Sequence, residues 1–372
     1  MALALLVAAA RTLDADTIAG DRIIDFSSIT LLNSKTYNAS QDAGLLPDDG
    51  RLPTMSFVAE KDGCNGYVKY CNKRLSQVLW MGAHNSLTDT GTAVQRNQYV
   101  DGAQLLDAGI RYLDIDTCAI MRNGQRVAPY VCHGTQLVIT QWYQPTQRGL
   151  RMIKKWMDAN PREVIMLNFG DLSDFTVLSV NNEATSTGQL GGELVSVLRG
   201  VFGDMVVLRG DPLDAEIHAD KAILQDLIKA NRRVIVNIAK GRSSNPLYWS
   251  QSDIVCNDVW YDAALKVDTQ QANYNWSSAL SYIDTKMRGP CAKQPQLINK
   301  LEFAFHTTLG GTIDSNHVGK ALDAYMNTLQ TSNNGGKTAP YFPFNMILTD
   351  HSDKWSSYYP QWHATHLKYL SS

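Results

Sequence analysis

The stretch "QVLWMGAHNSLTD", residues 77–89, joins an apolar run to polar residues without a break. Residues 77–83 have the length and side chains of a buried strand, and His84, Asn85, Ser86 and Thr88 follow at its end. An imidazole where a buried strand meets a polar loop is placed for chemistry. A lone histidine on an apolar strand is, equally, a common core residue. The rest of the chain decides between these readings.

Seven more apolar runs follow: 110–116, 126–132, 163–169, 232–239, 253–261, 301–307 and 344–350. Amphipathic stretches of helical length lie between most of them. "YVDGAQLLDAG" (99–109) gathers Val100, Ala103, Leu105 and Leu106 on one face and ends at Gly109, a helix-stop residue. "QRGLRMIKKWMDANP" (147–161) aligns Leu150, Ile153 and Met157 and stops before Pro161. Residues 214–233 and 317–332 read as helices in the same way. Strands that alternate with helices are parallel and joined by crossovers. Eight such units predict an α/β fold, a (β/α)8 TIM-type barrel. The alternative is an open, doubly wound sheet. Residues 1–73 show little periodicity and read as a leader and irregular N-terminal extension, leaving 74–372 for the barrel.

The chain has 372 residues, 44% hydrophobic and 19% charged, which suits a globular protein with a sizeable core. A net charge of -2 and the lack of a Lys/Arg block argue against a nucleic-acid partner. The opening "MALALLVAAARTLDAD" is too short to span a bilayer and resembles the apolar part of a signal peptide; the other reading is a buried N-terminal helix. No transmembrane segment is expected. Cysteines at 64, 71, 118, 132, 256 and 291 suggest three local pairs by their order, among fifteen formal pairings. Sequons at Asn38 and Asn275 agree with the leader, and secretion is the expected location.

Barrel active sites lie at the C-terminal ends of the strands. The first expected strand ends at His84 and Asn85, and the second carries Asp114 and Asp116 on one face. The third ends at His133, the fourth near Asn168 and Asp171, the fifth at Lys240 and the eighth at Asp350. This convergence is hard to explain by core packing. Two histidines can divide general-base and general-acid work. A carboxylate behind an imidazole fixes its tautomer. Asn85, Asp114 and Asp116 offer hard oxygen ligands for Ca2+, or alternatively Mg2+. A cation and a lysine together would stabilise a phosphoryl group. No GxSxG elbow points to acyl transfer, and "NNGGKT" (333–338) lacks the first Gly of a P-loop because Thr331 holds its place; it reads as a flexible loop.

The set "GAHNS", "LLDAGIRYLDIDT", "VCHG" and "MILTD" resembles the X-type catalytic domain of phosphatidylinositol-specific phospholipases C and their secreted microbial relatives, over about residues 74–355. The resemblance implies a barrel that cleaves an inositol phospholipid at a membrane surface, with the inositol 2-hydroxyl attacking phosphorus. It implies His84 as general base, His133 as general acid, Asp350 as support for His84 and Lys240 as a substrate-binding residue. Asp116, where the metal-independent branch has arginine, agrees with the calcium-dependent branch, as does Asn85. The fourth-strand glutamate of that branch is missing; "IMLNFGD" offers only Asn168 or Asp171, so a weakly bound cation is expected. The alternatives are a phosphodiesterase for glycerophosphodiesters or sphingomyelin-type lipids, and a secreted barrel that binds lipid or glycan without catalysis.

Overall fold

The computed structural model describes residues 59–90, 96–133, 141–176, 183–238, 249–250, 255–265, 296–307 and 344–370. Lys240, both sequons, the leader, the expected helix 317–332 and the loop 333–338 lie outside these residues.

The elements in chain order are β1 (Trp80–Ala83), α1 (Gly102–Asp107), β2 (Tyr112–Arg122), β3 (Gln125–His133), β4 (Gln141–Pro145) and α2 (Thr146–Ala159). Then come β5 (Ile165–Asp174), α3 (Glu183–Phe202), β6 (Val206–Val207), α4 (Asp214–His218), α5 (Leu224–Lys229) and β7 (Val234–Ile238). The last are β8 (Trp249–Ser250), β9 (Val255–Leu265), β10 (Ile298–Thr307), β11 (Met346–Thr349) and α6 (Tyr359–Tyr369).

Parallel ladders join β1 to β2, β2 to β5, β5 to β7 and β7 to β8. Others join β9 to β10, β10 to β11, and β11 back to β1. Apart from the two-residue β6, which also pairs with β7, neighbours around the sheet thus follow the order of the chain, and the last strand lies beside the first. That winding is a barrel's; an open doubly wound sheet reverses its strand order at a switch point. Between β8 and β9 no ladder occurs among the described residues. Local signals behave as expected. Asp101 caps α1 in a reciprocal capping box with Gln104, and Gly109 follows at φ 98°. In α2, Leu150, Ile153 and Met157 are fully buried. At Gly82 in β1 a Cβ would lie 2.7 Å from Leu348 Cδ1, so a side chain there would make Leu348 shift.

Two expectations are corrected. The run 126–132 is not the third barrel strand: β3 runs antiparallel to β2 as the return arm of a hairpin. Asn123 and Gly124 take φ of 50° and 70°, the Asn-Gly two-residue turn whose twist suits a hairpin. The vacated barrel position goes to β8, only two residues long and without a hydrophobic run to announce it. Lastly, residues 214–233 form two short helices, not one. Asp220 breaks them at φ 49°, its carboxylate accepting from Ser76 N (3.3 Å) and Ser76 Oγ (2.6 Å).

Segment 64–79 packs into the barrel's core through Tyr70, Leu75 and Val78, and the disulfide Cys64–Cys71 staples its start. Tyr70 Oη lies 3.0 Å from His363 Nδ1 and 3.1 Å from His366 Nδ1, which fastens the segment to α6. Burial, then the charge of Lys73, lowers His366 to about 3; burial, then His366 and Arg111, puts His363 well below the ordinary histidine value. Both imidazoles are therefore neutral in the folded protein at any pH near neutrality. In the unfolded chain they take up protons below about pH 6.5, so the stability they permit is full above that pH and is lost as pH falls. Urea unfolding at pH 6.5 and 5.0 should show a loss of up to about 1.4 kcal/mol per pH unit for each imidazole. His366→Gln should flatten that dependence by one proton; equal slopes in the two proteins would count against it.

Candidate active site

The ladders set one tier of side chains across the C-terminal mouth. Ala83 pairs with Leu113 and with Thr349, so His84, Asp114 and Asp350 come next on three adjacent strands. Asp114 pairs with Asn168, and Asn168 with Asn237. Their side chains meet as the register requires. Asn168 Nδ2 donates to Asp114 Oδ1 at 2.5 Å, and Asn237 Nδ2 donates to Asn168 Oδ1 at 2.9 Å.

His84 Nδ1 lies 2.8 Å from Asp350 Oδ1, and Asn97 Nδ2 donates to the same oxygen at 2.8 Å. The backbone around His84 is pinned as well: its N–H donates to Thr349 O, and its carbonyl accepts from Gln98 Nε2. On the other edge of the ring, His84 Nε2 is 3.8 Å from Glu302 Oε1. Burial by itself would lower the imidazole. Asp350, by charge and hydrogen bond, outweighs it with help from Glu302 and Asp114, and His84 is raised to about 10. It is an imidazolium at neutral pH in this arrangement.

The second histidine arrives by a different route. The hairpin β2–β3 carries His133 back to the mouth, where its Nδ1 lies 2.8 Å from Asp116 Oδ2 and 3.3 Å from Asn85 Nδ2. The disulfide Cys118–Cys132 links the two arms beside this pair. Arg126 secures the outer hairpin, with Glu193 Oε1 and Oε2 each at 3.0 Å and Asp174 Oδ2 at 2.6 Å. Tyr143 is buried within electrostatic reach of both Asp116 and Asp350; burial first, then these charges, raises its phenol.

The structure thus brings His84, Asn85, Asp114, Asp116, His133 and Asp350 to one mouth, with Asp350 behind His84. Asp116, expected as a cation ligand, is the partner of His133, and Asp114 is engaged by Asn168. Among the described residues no three His, Cys, Asp or Glu side chains are grouped closely enough to hold a metal. The donors nonetheless suit a hard cation in kind, all being oxygen. Asn85 Oδ1 is buried without a hydrogen-bond partner, and burial raises the Asp114 carboxyl against the lowering charges of His84 and Lys300. Sequence reasoning missed Glu302, Lys300, Asn97 and Tyr143. Only the Lys300–Glu302 pair carried a signal: two charges two positions apart beside an apolar run.

Residues 70–192 match the family model PI-PLC X. PI-PLC X domain-containing protein 1 of Arthroderma benhamiae is 35% identical over 104 residues, 28% of this chain and 32% of that protein. The Homo sapiens protein of the same name is 29% identical over 119 residues, 31% of this chain and 30% of that protein. These alignments span about a third of each curated relative's length. The phosphatidylinositol-specific phospholipase C of Listeria monocytogenes overlaps 80% of this chain and 95% of its own, with a TM-score of 0.52 and 13% identity, a likeness of fold.

The bridge closes a short loop next to His133, so its removal tests how far the hairpin depends on it. Cys118→Ala/Cys132→Ala should cost about 2–4 kcal/mol of unfolding free energy. Chemical denaturation of the purified variant would measure it, and a loss below about 0.5 kcal/mol would show that strand pairing and Arg126 hold the hairpin without the bridge.

Proposed function

We propose, from the premise that the chain belongs to the PI-PLC X family through residues 70–192, that it is a phosphoric diester hydrolase cleaving a phospholipid of the phosphatidylinositol type. One observation carries the reading: two imidazoles share one barrel mouth, each with a carboxylate 2.8 Å from its Nδ1. That arrangement leaves both Nε2 atoms for proton transfer and gives each ring support for its charged form. His84 takes the proton of the attacking hydroxyl, and His133, half exposed at the rim, returns one to the departing diacylglycerol oxygen. No GxSxG nucleophile competes with this two-histidine chemistry.

The carboxylates around His84 oppose the neutral form that a base needs. This is the physical reason a cation belongs in the proposal. Asn85, Asp114 and Asp116 would hold it, with Asn168 or Asp171 as the fourth ligand. Bound there, Ca2+ supplies positive charge both to the phosphoryl oxygens and to the acidic groups that keep His84 protonated. Lys240 remains a proposed substrate-binding residue. The two disulfides support an oxidising compartment, and secretion is part of the proposal. Substrate is met at a membrane surface; among the described residues no helix is long and apolar enough to cross one.

Phosphorus NMR of products from a panel of phospholipids should detect a cyclic inositol phosphate. Release from choline lipids alone would move the protein to the sphingomyelin-type reading. His84→Ala and His133→Ala should each lower turnover by roughly 10²–10⁴-fold with little change in folding. A variant with near-normal turnover would take that histidine out of the mechanism.

The cation should bind weakly, with Kd of about 10⁻⁴–10⁻³ M. Turnover should fall on chelation and return with Ca2+, and Asp116→Asn should raise the calcium required. Full turnover in excess chelator would reject the cation.

A further inference from the structure

The first and last strands part at the level of the site. Their register ends at Ala83 and Thr349, and His84 N–H still reaches Thr349 O at 2.9 Å. One residue past His84 and one past Asp350, Asn85 and His351 take φ of 46° and 47°, and both chains turn off the ladder. Such angles are uncommon for residues other than glycine. Asn97 and Gln98 bridge the opening. Gln98, fully buried, donates from Nε2 to His84 O at 2.7 Å and to Thr349 O at 3.1 Å, and its Oε1 accepts from Ser352 N at 2.9 Å. Asn97 O accepts from His351 N at 2.7 Å. Thr88 Oγ1 accepts from Asn97 N at 3.1 Å and from Gln98 N at 3.2 Å. The need to pair buried backbone where the ladder stops is reason enough for these bonds.

It is not a reason for the Asn97 side chain. Asn97 Nδ2 donates to Asp350 Oδ1 at 2.8 Å, the same oxygen that lies 2.8 Å from His84 Nδ1. Asp350 Oδ2 is buried and has no hydrogen-bond partner among the described residues. An amide placed only to satisfy a buried carboxylate would serve better on the bare oxygen. Instead both donors fall on one oxygen, which constrains the carboxylate mechanically. A carboxylate held by a single hydrogen bond can rock, because the last torsion of an aspartate is broad. A second donor on the same oxygen, from a residue itself fixed at its N–H and its carbonyl, removes that freedom.

We propose that Asn97 is a positioning residue of this site. It locks the Asp350 carboxylate in the orientation that presents Oδ1 to His84 Nδ1, and so sets where His84 Nε2 points. This rests on the reading of the mouth as a phosphodiesterase site and adds a member to its machinery. Asn97 acts through Asp350 alone, so it should govern the chemical step and leave substrate binding as it is. Misplacing a proton-transferring atom by about 1 Å can slow a reaction about 10²-fold.

The test uses the full chain and phosphatidylinositol vesicles. Asn97→Leu removes the amide and keeps most of its volume; Asn97→Ala is the second variant should the first fail to fold, with melting temperature as the check. The folded variant should lower kcat by about 10- to 100-fold with KM unchanged. Added to Asp350→Ala, it should leave kcat within about twofold of Asp350→Ala alone, since a residue that acts through another has nothing further to remove. Losses that multiply in the double variant, or a raised KM with kcat unchanged, would overturn the proposal. A second readout needs no turnover. The downfield proton resonance of the His84 Nδ1–H, identified by its disappearance in His84→Ala, should move upfield or exchange faster with water in Asn97→Leu. An unaltered resonance, or none in wild type, would also overturn it. A resonance that depends on Asn97 in a protein that turns over no phospholipid would uphold the positioning role and reject the hydrolase reading instead.

Discussion

The parallel seam between the first and last strands is the constraint from which the mouth is built. Trp80 to Ala83 run in register with Met346 to Thr349, and the next residue on each strand is a member of the site. His84 and Asp350 are 266 residues apart in the chain, yet the ladder leaves their side chains no option but to meet. Closing so long a loop is entropically costly, and apolar burial along the seam has to offset it. Met81, Ile347 and Leu348, all nearly free of solvent contact, supply part of that burial. The same seam carries the register to β10, and with it the height at which Glu302 enters.

Much of this architecture can be read in the residues, because buried parallel strands are apolar runs and amphipathic helices announce their period. The strands at 80–83, 112–116, 165–169, 234–238 and 346–349 fall where the runs predict them. What failed to show has physical reasons. Strand β8 is two residues long, too short to hold a pattern. The run 126–132 has the composition of a barrel strand, but direction is not written in hydrophobicity; it is written in the Asn123-Gly124 turn before it. Asp220 looks like an ordinary polar position within a helix until Ser76, 144 residues away, gives its carboxylate two donors.

The site was legible to the extent that its residues sit at strand ends. His84, His133 and Asp350 are found there, Asp114 and Asp116 lie within β2, and the ladders and the hairpin bring them to one mouth. Their partners were less legible. The spacing that makes Asp116 a candidate cation ligand gave no sign of His133, which the hairpin delivers to its Oδ2. Asn97 reaches Asp350 from a segment with no regular structure, so no periodicity could point to it. Glu302 lies a tier below the rim, where a search of strand ends does not look. Acidic groups on three strands surround His84, a concentration of like charge that a folding chain would avoid if stability alone selected the sequence.

The hairpin that carries His133 means that the two histidines are mounted differently. His84 stands at the end of a barrel strand, and its position is set by the parallel ladders on either side. His133 stands on the return arm β3, outside the ring, held by antiparallel pairing to β2 and β4, by one cross-link and, farther out, by the forked grip of Arg126 on Glu193. The distance between the two rings is therefore a property of the hairpin, and a change in its turn or its cross-link would alter that distance without touching the register of any barrel strand.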